Sequence, residues 1–264
     1  MTAEASADAG LAMRGIGVRF GGLVALDDVS MAVRPGQVVG VIGPNGAGKT
    51  TLFNVVCGFV RPDAGTLTLD GRPLRPRPHR LTKLGIARTL QGVGLFAGLT
   101  VLENVVAGAT ASTRAGFAAA LFGLPRSDKE ERALRSRAYD LLAELGVGQY
   151  AKALPGGLPF ALQKRVALAR ALAADPRLLL LDEPAGGLAG EEITALGDLI
   201  RTLPRRLGGT GAVLLVEHHM DLVMSVCHEI VVLDFGRVIA AGKPETIRDN
   251  PAVAEAYLGA EAAT

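Results

Sequence analysis

Cys57 and Cys227 are the only cysteines among 264 residues. They are too few and too far apart for a disulfide framework, which points to a reducing cytosol. An excess of charge of either sign is also missing. Lys and Arg number 28 against 26 Asp and Glu, a net of +2, and the cations are scattered, so no nucleic acid partner is expected. Long apolar runs are absent too: the longest, Ala115 to Pro125, is too short to span a bilayer. Met1 to Gly10 are small and acidic, with no signal-peptide core. No internal repeat or low-complexity linker interrupts the chain. Mean hydropathy is nonetheless +0.31, which either an apolar patch covered by a partner or an Ala- and Val-rich core accounts for. The length suits one α/β domain with room for an inserted subdomain.

What is present is concentrated in one loop. Gly43-Pro44-Asn45-Gly46-Ala47-Gly48-Lys49-Thr50-Thr51 matches the pattern of glycine, four residues, glycine, lysine and a hydroxyl residue. Backbone N–H groups of such a loop cradle phosphate oxygens. Lys49 is placed to meet the β- and γ-phosphates and the Thr50 hydroxyl to ligate Mg²⁺. Gly46 and Gly48 let the backbone approach without a Cβ in the way. Gln37 to Ile42 reads as a short apolar strand leading in. Thr51 to Val56 opens a helix whose N-terminus favours anions. Strand, loop and helix follow the required order, so the chain is expected to bind a nucleoside phosphate.

A second motif lies downstream. Leu178-Leu179-Leu180-Leu181 carries a buried strand to Asp182-Glu183-Pro184, so Asp182 emerges at the C-terminal sheet edge, where α/β ligands bind. Asp182 is expected to hold Mg²⁺, and Glu183 to polarise the attacking water as general base. Strands are also expected at Val29–Val33 and Val38–Ile42, joined by the turn Arg34 to Gln37, and at 65–70, 212–216 and 230–233. Asp234-Phe235-Gly236-Arg237 is a hairpin turn into Val238 to Ala240. From Gly92 to Leu172 the character is helical. Ser127-Asp128-Lys129-Glu130 reads as a capping box, and Leu134, Ala138, Leu141, Leu142 and Leu145 form one apolar face, ended by Gly146 and Gly148.

Together these motifs resemble the ATP-binding subunits of ABC transporters, and among them the branched-chain (hydrophobic) amino acid uptake type. The similarity extends from Val18-Arg19-Phe20-Gly21-Gly22 to the tail Gly242 to Pro251 and Ala256-Tyr257-Leu258-Gly259. Ala87 to Gln91, with Leu95-Phe96 and Leu99 to Asn104, is similar to the family's Q-loop region, and Val216-Glu217-His218 with Met220 to its switch-histidine region. The resemblance implies a P-loop NTPase fold of ABC type: a RecA-like parallel core with an N-terminal antiparallel β part (12–91 and 173–264) and an inserted α-helical subdomain (92–172). It implies ATP and Mg²⁺ as ligands and ATP hydrolysis coupled to transport. It also implies Gln91 touching the Mg²⁺ or the attacking water, His218 reaching the γ-phosphate, and Phe20 stacking on adenine. Implied partners are membrane permease subunits, a second ATPase subunit and, indirectly, a substrate-binding protein, with the chain peripheral on the cytoplasmic face of the membrane. Urea and lipid or lipopolysaccharide systems use similar ATPases, and a nucleotide-sensing module with weakened catalysis is a further alternative.

The departures from the family concern the partner's site. The family's signature, Leu-Ser-Gly-Gly-Gln at a helix start, falls on Leu158-Pro159-Phe160-Ala161-Leu162 when counted back from Arg165 to Leu172. Pro159 lacks a hydroxyl and an N–H, and Phe160 and Ala161 block the approach that glycine permits. The alternative register, Leu154-Pro155-Gly156-Gly157-Leu158, keeps two glycines but needs a four-residue insertion; the first is preferred because a helix N-terminus binds the anion. Ala189 stands where the family carries Asp or Asn, and His219 replaces an acid common after the switch histidine. Residues serving the chain's own nucleotide are present, while those offered to a partner's nucleotide are degraded. This pattern leads to the expectation of an asymmetric ATPase heterodimer.

Overall fold

A computed structural model of the chain describes residues 10–89, 92–110 and 125–261. Strands β1 (Leu11–Phe20), β2 (Leu23–Val33), β4 (Ala64–Leu69) and β5 (Arg72–Pro73) form an antiparallel sheet in the order β2-β1-β4-β5. A second sheet runs β10-β9-β3-β8-β7-β6. Its members are β3 (Val38–Ile42), β6 (Ile86–Arg88), β7 (Leu178–Asp182), β8 (Ala212–Val216), β9 (Glu229–Asp234) and β10 (Arg237–Gly242). All its pairings are parallel except β9 with β10.

The unbroken apolar runs of β3, β7 and β8 follow from burial on both faces. Alternate residues leave each strand on opposite sides. Val39, Val41, Leu180 and Leu214 face a core shared with the antiparallel sheet and the helix Lys49–Cys57, which contributes Phe53. Val38, Ile42, Leu179, Leu181, Val213 and Leu215 face the opposite core, built with the remaining helices. Those helices include Val101–Thr110, Pro125–Glu144 and Phe160–Leu172. Of the apolar face expected at 134–145, Ala138, Leu142 and Leu145 are buried and Leu134 and Leu141 pack at its margin.

The turn at Arg34 to Gln37 joins β2 to β3 as expected, and the two strands belong to different sheets, because a strand apolar on both faces belongs in the centre of the parallel sheet. One local reading changes. Ser127 is not a helix cap. The helix already begins at Pro125, proline being suited to a first turn that needs no donor. Ile86–Arg88, to which the sequence assigned no element of its own, is the edge strand of the parallel sheet. The Asp234–Arg237 turn is as expected, with Phe235 and Gly236 both at positive φ (41° and 77°) and Asp234 paired to Arg237. In the parallel sheet Val41 pairs Val216, which pairs Asp182. The residues following all three strands therefore emerge side by side at one edge.

Candidate active site

The loop after β3 is shaped by its glycines. Gly43 has φ 147°, and a Cβ there would run into the Leu233 carbonyl. Gly48, at φ 99°, caps the helix Lys49–Cys57, and a Cβ there would stand 2.6 Å from the Ala25 carbonyl oxygen. Gly46 has nothing within 4 Å of its missing Cβ, and Asn45 and Gly46 are exposed, whereas Pro44 and Ala47 are buried. The helix N-terminus has no side-chain cap and no acid in its first turn, leaving its N–H groups and positive dipole end available to an anion.

Lys49 Nζ donates to the carbonyls of Gly43 at 2.7 Å and Pro44 at 2.8 Å. Partial burial holds its ammonium below the usual lysine range, against an opposing pull from Glu183, whose carboxylate lies within electrostatic reach. Thr50 is exposed in the first helical turn and Thr51 half-buried. The loop thus closes on its own lysine, and a phosphate offers that lysine a stronger partner than two carbonyls.

Asp182 ends β7, half-buried, and its N–H donates to the buried Thr89 Oγ1 at 3.4 Å. Burial and then Glu183 push its carboxyl above the ordinary range, while Arg88 pulls it down. Adjacent carboxylates are a donor set suited to a divalent cation, and Thr50 offers a hard oxygen donor of its own. Glu183 sits at φ 45°, a left-handed conformation rare for glutamate. Its N–H donates to Val216 and its carbonyl accepts from Gly186. Such strain persists where surrounding contacts impose it.

Those contacts come from two residues to which the sequence reading assigned no role. Glu217, fully buried immediately after β8, accepts from the N–H of Ala185 at 2.6 Å, His218 at 2.8 Å and His219 at 3.1 Å. It ties the loop that follows Glu183 to the loop that carries His218. Its sequence signal was an acid directly ending a five-residue apolar strand. Lys164, on the helix Phe160–Leu172, donates to the carbonyls of Pro184 at 2.7 Å and Glu183 at 3.4 Å, with its ammonium 5.2 Å from the centre of the Phe160 ring.

The His218 side chain is 54% exposed, Nδ1 lying 3.6 Å from Glu217, and its ring leans on His219 with centroids 4.5 Å apart. The Glu217 oxygens are already occupied by three backbone donors, so the Glu217-His218-His219 cluster is arranged as a clamp rather than as a metal-ligand set. Phe20, at the end of β1, is half exposed. Gln91 lies outside the described residues. The helix bearing the expected signature starts at Phe160 with Pro159 as its uncapped N-cap, so Leu158 to Leu162 straddle its start; Pro155–Gly157 form a separate 3₁₀ turn upstream. The Phe160 ring lies against Gly187, where a Cβ would come within 2.9 Å of it.

Two family models match the chain. One, described as ABC transporter, covers residues 26–186; the other, described as branched-chain amino acid ATP-binding cassette transporter, covers residues 237–263. The high-affinity branched-chain amino acid transport ATP-binding protein BraF of Pseudomonas aeruginosa is 42% identical, over 94% of this chain and 97% of its own. LivG of Escherichia coli K12, which carries the same description, is 38% identical with the same coverage. Among solved structures, the ADP conformation of MJ1267, an ATP-binding cassette of an ABC transporter, superposes with a TM-score of 0.80 at 30% identity, covering 95% of this chain and 99% of that one. A nucleotide-free cassette from an ABC transporter gives 0.79 at 29%.

Proposed function

The chain belongs to the ABC transporter ATP-binding family and is an ATPase of that type, and we propose that it powers uptake of branched-chain or other hydrophobic amino acids through membrane permease subunits. The match of residues 237–263 to the branched-chain family model carries the choice of cargo, because this tail lies outside the nucleotide loop and the carboxylate strand shared by ABC ATPases at large. Among the described residues no helix is long and apolar enough to cross a membrane, in keeping with a peripheral subunit docked at the cytoplasmic face.

The mechanism follows from the sheet edge. The amides of Gly43 to Thr51 and the helix N-terminus receive the phosphates of ATP. Lys49 exchanges the carbonyls of Gly43 and Pro44 for the β- and γ-phosphate oxygens. Thr50 and Asp182, with Gln91, would hold Mg²⁺, which when bound offsets phosphate charge. Glu183 takes the proton of a water whose oxygen attacks the γ-phosphorus as the bond to ADP breaks, and His218 donates toward the γ-phosphate. Lys164 and Glu217 fix the backbone from the Glu183 carbonyl to Ala185. Phe20 offers an exposed ring to the adenine.

The second ATPase subunit differs in sequence from this chain. Pro159 at the helix start has no N–H to offer a partner's γ-phosphate, and the Phe160 ring fills space against Gly187. This chain's loop is therefore completed by another chain's signature.

Co-expression with candidate permease and ATPase subunits tests the reading. It predicts a detergent-stable complex that takes up labelled leucine into proteoliposomes and loses that uptake on Lys49→Ala. A chain that never co-purifies with a permease, or uptake that survives the substitution, would refute it.

A further inference from the structure

Charge is balanced over the chain as a whole, but one stretch is one-sided. Between Asp70 and Glu103 there is no acid, and Arg72, Arg75, Arg77, Arg80 and Lys83 fall close together in the segment 72–83. All five are exposed, and none forms an ion pair with a described residue. The acid that precedes them, Asp70, is already held by Arg177. Elsewhere Arg34, Arg137, Arg201 and Arg237 each meet a carboxylate, so the segment stands out as uncompensated positive charge.

The backbone beneath these cations is fixed. Arg72–Pro73 pairs with β4, Leu74 is buried with its N–H donating to the Leu67 carbonyl at 2.8 Å, and Leu81 is buried further on. Pro76 lies on the end of the helix Lys49–Cys57, where a Cβ on Gly58 would stand 2.5 Å from its carbonyl oxygen. Pro73, Pro76 and Pro78 restrict the chain between the cations. Two 3₁₀ turns, Pro78–Arg80 and Thr82–Leu84, then lead into β6. Ile86 of β6 pairs with Leu178 at the start of β7, whereas Asp182 stands at the other end of β7. The segment therefore reaches the sheet at the edge opposite the nucleotide residues, and a partner held there leaves the phosphate loop free.

Unpaired cations on a short, stiff segment suit a surface of diffuse negative charge. An anionic bilayer supplies one without demanding any register, and each cation near it favours binding about fivefold. Nucleic acid fits less well. The segment 72–83 has no aromatic residue on which a base could stack, and no helix or ribbon long enough to enter a groove. We propose that the segment 72–83 is a membrane-surface contact that binds the anionic headgroups of phospholipids, an electrostatic attachment additional to the one made through the permease. The choice of a bilayer rests on the reading of the chain as a peripheral transporter subunit.

The test mixes the full chain, without permease, with vesicles of phosphatidylcholine alone or of an equal mixture with phosphatidylglycerol. Sedimentation across a salt series gives the bound fraction. The native chain is compared with Arg75→Gln/Arg77→Gln/Arg80→Gln/Lys83→Gln and with a control of the same net charge, Lys152→Gln/Arg205→Gln/Lys243→Gln/Arg248→Gln, whose positions are also exposed. Binding is expected only to the anionic vesicles and weakened by salt. The first variant should bind about 10²-fold more weakly or worse, while the control keeps most of its affinity. Binding to both vesicle types alike, no binding, or an equal loss in both variants overturns the proposal. Tighter binding to a duplex oligonucleotide at equal phosphate concentration also overturns it and assigns the surface to nucleic acid. Far-UV circular dichroism reports whether the first variant folds. If it does not, Arg77→Gln and Lys83→Gln decide singly: each should lose about fivefold, and native binding by both overturns the proposal. Failure to co-purify with a permease strikes the transporter reading instead, a result independent of an assay that contains no permease.

Discussion

Replacing Glu217 by glutamine removes one acceptor oxygen from a site where three backbone amides converge. The carboxamide oxygen can still face the N–H groups of His218 and His219, but its NH₂ then meets the Ala185 N–H, donor against donor. The loss is one hydrogen bond to a charged group, worth about 1.5–3 kcal/mol, plus a hidden amide left unsatisfied, for a total of roughly 2–4 kcal/mol. Relaxation of the loop recovers part of the second contribution, hence the range. Catalysis should suffer more than stability. Ala185 is two residues from Glu183, and a displacement of about 1 Å at a catalytic group costs on the order of a hundredfold in rate. The chain has no tryptophan, so urea unfolding is best followed by far-UV circular dichroism, with ATPase measured in the assembled transporter. A variant within about 0.5 kcal/mol of the native chain and with native turnover would show that Glu217 is a bystander.

Glu183→Gln should keep ATP binding while hydrolysis falls about 10²- to 10⁴-fold, the range of a lost general base; parallel loss of binding would assign Glu183 a different role. Gly43→Ala places a methyl group on the Leu233 carbonyl at φ 147° and should cost about 1–3 kcal/mol or more in unfolding free energy, an expectation that native stability would contradict. Cys227, whose thiol burial pushes up to about 12, should resist thiol reagents in the folded chain at pH 8 and react promptly in denaturant, because the thiolate is the nucleophile. The unfolded thiol ionises from about 9.0 while the folded one keeps its proton to about 12. This contribution to stability is therefore complete below pH 9 and declines as pH rises through that window, which unfolding curves across the alkaline range will check.

The phosphate loop and the strand Leu178–Asp182 were legible because each is a contiguous segment whose chemistry follows from its own residues. Leucines at four successive positions leave no polar face, so a central strand is the economical reading, and the acids after it emerge at its end. The hairpin Asp234–Arg237 was legible for the same local reason. Ile86–Arg88 was not, since three residues carry too little periodicity to mark a strand, and pairing with β7 is what orders them. Glu217 and Lys164 acquire their roles from groups 32 and 20 residues away, and no spacing rule encodes such contacts. Ser127 shows the converse: a local capping pattern yielded to a helix that starts earlier, at Pro125.

If the phosphate loop at Gly43–Thr51 is half of a site which a different chain completes, the ATPase rate of the purified chain, measured against its own concentration, will show it. The expected rate is slow and rises only linearly, with strong stimulation by a second ATPase subunit bearing an intact Leu-Ser-Gly-Gly-Gln signature. Vigorous hydrolysis by the chain alone, rising with the square of its concentration, would contradict it.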